Sequence, residues 1–234
     1  MIIAFGGAPN AGVTVNAFKA AQILYEKTRQ RVIFVSTDET VPTLGLLKPK
    51  EKTEKMPCLE NLLENDVISR ESIIRHLSVE RNEPNFGILA NKKAHPEGSV
   101  LVSKEMAQAL WKGLVGISQW IVVDCGRCDT YLNRFLWEKA DHRISIVSAS
   151  LKSTILYRTA NPEYNSNAVW LVALEKRDEK NLEKFKKRFY KEKAEKIGFC
   201  QQIQNQEKTG TLMKPLQQGQ YKRNVKNAIK EVLL

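Results

Sequence analysis

Apolar and polar positions along the chain switch between two periods. Short, continuously apolar runs recur at "IIAF", "RVIFVSTD" (31–38), "NFGILAN" (85–91), "QWIVVDCG" (119–126), "HRISIVSAS" (142–150) and "NAVWLVALE" (167–175). Runs of this length without alternation predict strands buried on both faces. Between them the spacing turns helical. Ala17, Ala20, Ala21 and Leu24 fall at i, i+3, i+4 and i+7 within 14–27. Leu59/Leu62/Leu63 and Ile73/Ile74/Leu77 predict two short helices, and Met106, Leu110, Leu114 and Ile117 share one face of 103–118. "YLNRFLWEKA" and "SLKSTILYRTA" add two more. A long charged helix is expected over 178–196, with Leu182, Phe185 and Phe189 as its apolar seam. "KIGFCQQIQ" reads as a last short strand and "GQYKRNVKNAIKEVLL" as a final amphipathic helix. Residues 42–58, with three prolines and many lysines, and "KKAHPEGSV" read as loops.

Strand, glycine-bearing turn, helix and strand within the first 40 residues make a βαβ unit whose strands run parallel. The same alternation continues to the C-terminus. It predicts an α/β fold, a doubly wound, mostly parallel sheet with helices on both faces. No repeat, low-complexity tract or linker divides the 234 residues, so a single domain, 1–234, is expected. Ligands of such sheets bind at the carboxyl ends of the strands.

Composition narrows the classes. Hydrophobic content of 42% and charged content of 27% suit a globular chain with a sizeable core. No apolar run approaches the ~20 residues needed to span a bilayer. The start "MIIAFGGAPN" has no basic n-region, so no signal peptide is expected, and four cysteines (58, 125, 128 and 200) fit a reducing cytoplasm. The net charge of +11 is uneven: residues 175–234 hold 16 Lys/Arg against 8 Asp/Glu, a net +8. This basic C-terminal region suits an anionic partner, whether DNA, an anionic membrane or an acidic protein, and equally suits a solvated surface.

The turn after the first strand carries the candidate chemistry. "GGAPNAGVTV" sets Gly7, four residues (Ala8, Pro9, Asn10, Ala11), then Gly12, Val13, Thr14 and Val15. Glycines between a strand and a helix let successive backbone N–H groups face a phosphate, and the helix dipole adds attraction. Thr14 would offer its hydroxyl to a magnesium ion. A plain glycine turn would look the same, so context matters. Two further apolar strands end in acids, Asp38 in "VIFVSTDET" and Asp124 in "WIVVDCG". Both acids belong on the rim where the loop lies, as metal-facing and catalytic candidates.

These residues together resemble the ParA/MinD group of deviant-Walker P-loop ATPases. The family loop reads roughly KGGxGKT[ST]. Laid on this chain, Gly12 and Thr14 match, while Ala8 falls at the signature lysine and Val13 at the common P-loop lysine. Asp38 keeps the second acid of the family's strand-end DxD, with Ser36 in place of the first, and Asp124 matches the Walker B acid. The resemblance implies a P-loop NTPase-like fold, ATP or ADP with Mg²⁺ as ligand at residues 7–15, metal contacts from Thr14, Asp38 and Asp124, and a homodimer. The stretch "CLENLLEN…HLSVERNEPNFGILANKKAHPEGS" further resembles the TadZ/CpaE branch, whose members localise pilus or secretion machinery and often carry degenerate nucleotide loops. That implies a cytoplasmic protein, peripheral at the inner membrane face or a cell pole, with protein partners of a pilus, secretion or partition system.

The two replacements bear on mechanism. Each lost charge-assisted contact costs roughly 1.5–3 kcal/mol, about ten- to a hundredfold in affinity. Little or no ATP hydrolysis is expected, since the lysines would stabilise the developing phosphoryl charge. The alternatives are a ParA-like partition or conjugation protein binding DNA non-specifically, and an active ATPase whose lysines come from elsewhere in the chain.

Three other features bear on function. "CGRC" is a C-x-x-C, but zinc would need two more ligands and no second close pair exists, so Cys125 and Cys128 are expected to line a loop. His76, His95 and His142 lie far apart in sequence and suggest no catalytic pair. The last helix sets Tyr221, Val225, Ala228, Ile229 and Val232 on one side and Lys222, Arg223, Lys226 and Lys230 mainly on the other. It suits either closing of the domain or a MinD-type membrane-surface helix.

Overall fold

The computed structural model describes residues 1–49, 56–65, 67–94, 102–160, 166–190 and 194–232. Its centre is β1 (Ile2–Gly7), buried over its whole length. The continuously apolar "IIAF" is explained by its neighbours: β5 (Trp120–Asp124) pairs on one side and β6 (His142–Ser148) on the other, both parallel. β2 (Val32–Ser36), β4 (Glu83–Leu89), β7 (Ala168–Val172) and β8 (Ala194–Ile197) extend the sheet. With β3 (Ser78–Glu80), the described residues form eight strands in the order β3-β4-β2-β5-β1-β6-β7-β8. All pairs are parallel except β3 with β4. This is the expected doubly wound α/β sheet.

Side chains of successive strand residues point to opposite faces, and the core divides accordingly. Ile3 and Phe5 of β1 meet Phe34, Phe86, Ile144 and Trp170 on one face. Ile2 and Ala4 meet Ile33, Val35, Ile121 and Val123 on the other. The first layer is covered by α1 (Val13–Thr28) and α10 (Gln220–Val232). The second is covered by α5 (Lys104–Ile117) and α6 (Tyr131–Lys139) through Leu110, Leu114, Leu132 and Leu136. The short helices α3 (Leu59–Leu63) and α4 (Arg70–Arg75) join this second layer, and α7 (Leu151–Ala160) follows β6.

Several elements differ from the sequence reading. The segment 42–58, read as loop, contains α2 (Thr43–Leu47), because Leu44 and Leu47 are drawn into the core. β3 was not expected at all. Three residues with one face exposed give too little pattern, and an antiparallel edge is set by its neighbour. The long helix over 178–196 does not form. A 3₁₀ turn at Lys176–Asp178 leads into α8 (Glu179–Phe185), then a π turn over Lys186–Tyr190, and Ala194–Ile197 pair with β7 as a strand. The seam itself is present: Leu182 is buried, and Phe185 and Phe189 pack at 5.4 Å. "KIGFCQQIQ" is therefore not one strand. Its front half completes β8 and "QQIQ" opens α9 (Gln201–Thr209).

The last helix closes the domain. Tyr221, Val225, Ala228 and Ile229 are buried against α1 and β8, and the Tyr221 hydroxyl donates to Asn16 Oδ1 at 2.8 Å. The side chain of Val232 lies outside the described residues. Lys222, placed by sequence with the solvated residues, is in fact buried, donating to the Leu216 carbonyl and pairing with Glu26. Among the described residues no helix is long and apolar enough to cross a membrane.

Candidate nucleotide-binding site

The carboxyl ends of β2, β5 and β1 lie side by side, with Ser36 beside Asp124 and Asp124 beside Phe5 in register. From β1 the chain turns back over residues 8–12 before α1 begins. Asn10 (φ 59°) and Gly12 (φ 80°) both adopt the left-handed conformation, and the Ala11 N–H donates to the Ala8 carbonyl. At Gly12 a Cβ would be strained by φ and pressed to 3.1 Å from Leu174. This conformation caps α1 without a side-chain acceptor, so the helix's first N–H groups stay directed at the cavity above them. The sequence pattern located this turn correctly.

The residues proposed for the metal also converge here. Asp124 is fully buried. Its carboxylate accepts from Ser36 Oγ at 3.0 Å and from the Gly126 N–H at 3.1 Å, and the Thr14 hydroxyl lies close enough to favour its charged form. Burial, with the nearby charge of Asp38 second, pushes its carboxyl up to about 7 against the accepted hydrogen bonds. Asp38 lies against Gly126, where a Cβ would meet its carboxyl carbon at 2.7 Å. Thr40 fixes the Asp38 orientation by donating its N–H and hydroxyl to Oδ1 at 2.9 and 2.6 Å. Thr14, Asp38 and Asp124 thus form one cluster of oxygen donors, two of them carboxylates that repel each other. Hard divalent cations such as Mg²⁺ take oxygen donors of this kind.

A cavity of about 630 Å³ opens over this cluster. Gly7, Ala8, Pro9, Asn10, Gly12, Val13, Thr14 and Val15 form one wall, and Asp38 another. Ala11 stays beneath, fully buried. Ala8 and Val13 are only 5% and 8% exposed and belong to the core below the loop. The loop keeps its shape through apolar packing at the two positions where the resemblance expects lysines.

Sequence reasoning did not find the rest of the cavity wall: Thr40, Val41, Leu46, Gly126, Arg127, Leu174, Gln204 and Glu207. Gly126 and Arg127 sit within "CGRC" and were legible only as the interior of a cysteine pair. Leu174, Gln204 and Glu207 come from the loop after β7 and from α9, far away in sequence. The cysteines themselves are free thiols in the core, Cys125 fully buried and Cys128 nearly so. His76 and His142 lie on α4's end and on β6, and His95 lies outside the described residues.

Solved structures of this architecture exist. A ParA family ATPase from Chlorobium tepidum TLS superposes with a TM-score of 0.70 at 14% identity, covering 99% of this chain and 97% of that one. The fold is that of the ParA/MinD P-loop ATPases. A plasmid partition protein from Borrelia burgdorferi B31 bound to AMPPNP gives 0.67 at 14%, covering 99% and 97%. The MinC:MinD cell division protein complex of Aquifex aeolicus gives 0.68 at 12%, covering 98% and 96%. No protein-family model and no curated protein sequence matches the chain. At these identities the likeness establishes the fold.

Proposed function

We propose that this chain binds a nucleoside triphosphate with Mg²⁺ weakly, turns it over little or not at all, and works as a localisation or assembly factor through protein partners. One observation carries the reading: Thr14 and Asp38 line a cavity with the buried Asp124 behind them, beside a glycine-bearing turn whose lysine positions are filled by buried Ala8 and Val13. The AMPPNP bound to the Borrelia neighbour supports the ligand class. The partner complex of the MinD neighbour supports action through a second protein.

On this reading the loop amides and the α1 N-terminus would hold the phosphates, and Thr14, Asp38 and Asp124 would hold the metal. A bound Mg²⁺ would offset phosphate charge and relieve the repulsion between the two acids. Asp38, held by Thr40, would supply one carboxylate oxygen to the metal. Asp124, buried and hydrogen-bonded by Ser36 and Gly126, would supply a second carboxylate. With an aliphatic side chain at Val13, the loop contributes no ammonium to the developing charge of hydrolysis. The resemblance of the 58–99 stretch makes a pilus or secretion component the partner we favour.

The test is calorimetric titration of MgATP and MgADP into the full chain, with Asp38→Ala as control, alongside a phosphate-release assay. Weak saturable binding lost in the control, without turnover, is expected. Turnover abolished by Asp38→Ala would replace this reading with an active ATPase. A second reading has its own observation: Lys176, Arg177, Lys180, Lys184, Lys187 and Arg188 are all exposed around α8. Non-specific DNA binding there would weaken steeply as salt rises.

A further inference from the structure

The structure assigns a replacement for the missing loop charge: we infer that Arg127 is the phosphate-binding cation of this cavity. The inference rests on the nucleotide reading above and deepens it. Among the described residues lining the cavity, Arg127 is the sole basic side chain, against the acids Asp38 and Glu207 and the buried Asp124 behind them. A polyphosphate entering this space brings more negative charge than one divalent cation offsets. The guanidinium is the side-chain group in place to take the remainder.

Its position is fixed by the backbone beneath it. The turn after β5 is tied to β1 on two levels: the Cys125 N–H donates to the Phe5 carbonyl at 2.8 Å, and the Gly7 N–H donates to the Gly126 carbonyl at 3.0 Å. The Gly126 N–H is held by Asp124 at 3.1 Å, and the Cys128 N–H closes the turn onto the Cys125 carbonyl at 2.9 Å. Gly126 and Cys128 both take the left-handed conformation that this tight path needs. Cys125 and Cys128 point into the core, so Arg127 between them projects outward at the cavity wall. The "CGRC" spacing is thereby explained as two apolar anchors aiming one charged side chain. Gly7 and Asp124 belong to the phosphate loop and the metal cluster, so the same hydrogen bonds that shape the site also set the root of Arg127.

Arg127 is ion-paired with Asp129 at 2.9 Å, both side chains being 47% exposed. A pair that accessible to water and salt is held loosely. Carboxylate and phosphate both suit the planar fork, but a polyphosphate brings more negative charge than the single carboxylate of Asp129.

The experiment is calorimetric titration of MgATP, MgADP and adenosine into the full-length wild type, Arg127→Ala, Arg127→Lys and Asp129→Asn, with thermal melts to confirm folding. Arg127→Ala is expected to weaken MgATP by about ten- to a hundredfold, the effect of one lost charge-assisted contact. Adenosine binding, which has no phosphate, is expected to be unchanged. Arg127→Lys should recover part of the loss, and Asp129→Asn should tighten MgATP by removing a carboxylate that competes with phosphate for the guanidinium. Equal MgATP affinity in the wild type and Arg127→Ala overturns the inference and leaves the nucleotide reading standing. A wild type that binds no nucleotide at millimolar concentration overturns that reading and this one with it.

Discussion

Asp124 provides a direct test of the site's electrostatics. Its side chain is fully buried beside Asp38, and its carboxyl is pushed from 3.8 up to about 7, by burial first and by the Asp38 charge second. An acid whose folded value exceeds its unfolded one binds more protons when folded. Its stabilising contribution is complete below pH ~4 and is lost as pH rises through about 7. About three units at 1.36 kcal/mol each gives on the order of 4 kcal/mol across that window. Asp124→Asn removes the titration and keeps the shape. The amide oxygen can still accept from the Gly126 N–H, and the amide nitrogen can donate to Ser36 Oγ, a hydroxyl able to reverse its role. Urea denaturation from pH 3.5 to 8.5 is the assay. The variant should match the wild type below pH ~4, pull ahead steadily above it, and exceed it by a few kcal/mol at pH 8. Mg²⁺ at pH 8 should recover part of the wild-type loss, since a divalent cation favours the carboxylate, and leave the variant unchanged. Parallel stability profiles for the two proteins would refute the argument, because no titrating group would then separate them.

Three further outcomes are expected. Val13→Lys restores an ammonium to the cavity wall and should tighten MgATP about tenfold or more, at a cost of about 1 kcal/mol in lost burial; titration and melting read both. Lys19 is wholly buried, and its Nζ donates to Gln22 Oε1 and to the Leu212 and Lys214 carbonyls. Burial lowers its ammonium to about 7, so its stabilising contribution is complete above pH ~10.5 and is lost as pH falls through about 7. Lys19→Met should cost about 1–3 kcal/mol at pH 10 through unpaired carbonyls, and its stability should then stay flat towards pH 7 while that of the wild type falls. Deletion of 221–234 removes Tyr221, Val225, Ala228 and Ile229 from the core and should leave no cooperative unfolding transition by circular dichroism. A truncated chain that still melts cooperatively would show that the helix does not close the domain.

Where local chemistry decided the outcome, the chain could be read directly. "IIAF" and "WIVV" are apolar without alternation because they are covered on both faces, so burial is written into them. The turn at 7–14 was legible because glycines and a hydroxyl between strand and helix have few other uses. The acids Asp38 and Asp124 showed themselves by ending apolar runs. Each of these signals needs only neighbours in sequence.

Other features depended on partners distant in the chain. β3 and β8 exist because β4 and β7 offer free edges, and charged "AEKI" follows the edge rather than its own helical charge pattern. Lys222 and Lys19 are buried because Glu26 and the backbone carbonyls of 212–216 lie where only folding brings them. The cavity's far wall, Leu174 with Gln204 and Glu207, needed β7 and α9 to be brought over the loop. Arg127 stood in plain view within "CGRC", but its direction was set by two buried cysteines and a turn hydrogen-bonded to β1. Periodicity and turn chemistry carried the fold and the loop. The charge around the phosphate position is a property of three-dimensional proximity, and only the tertiary structure supplies it.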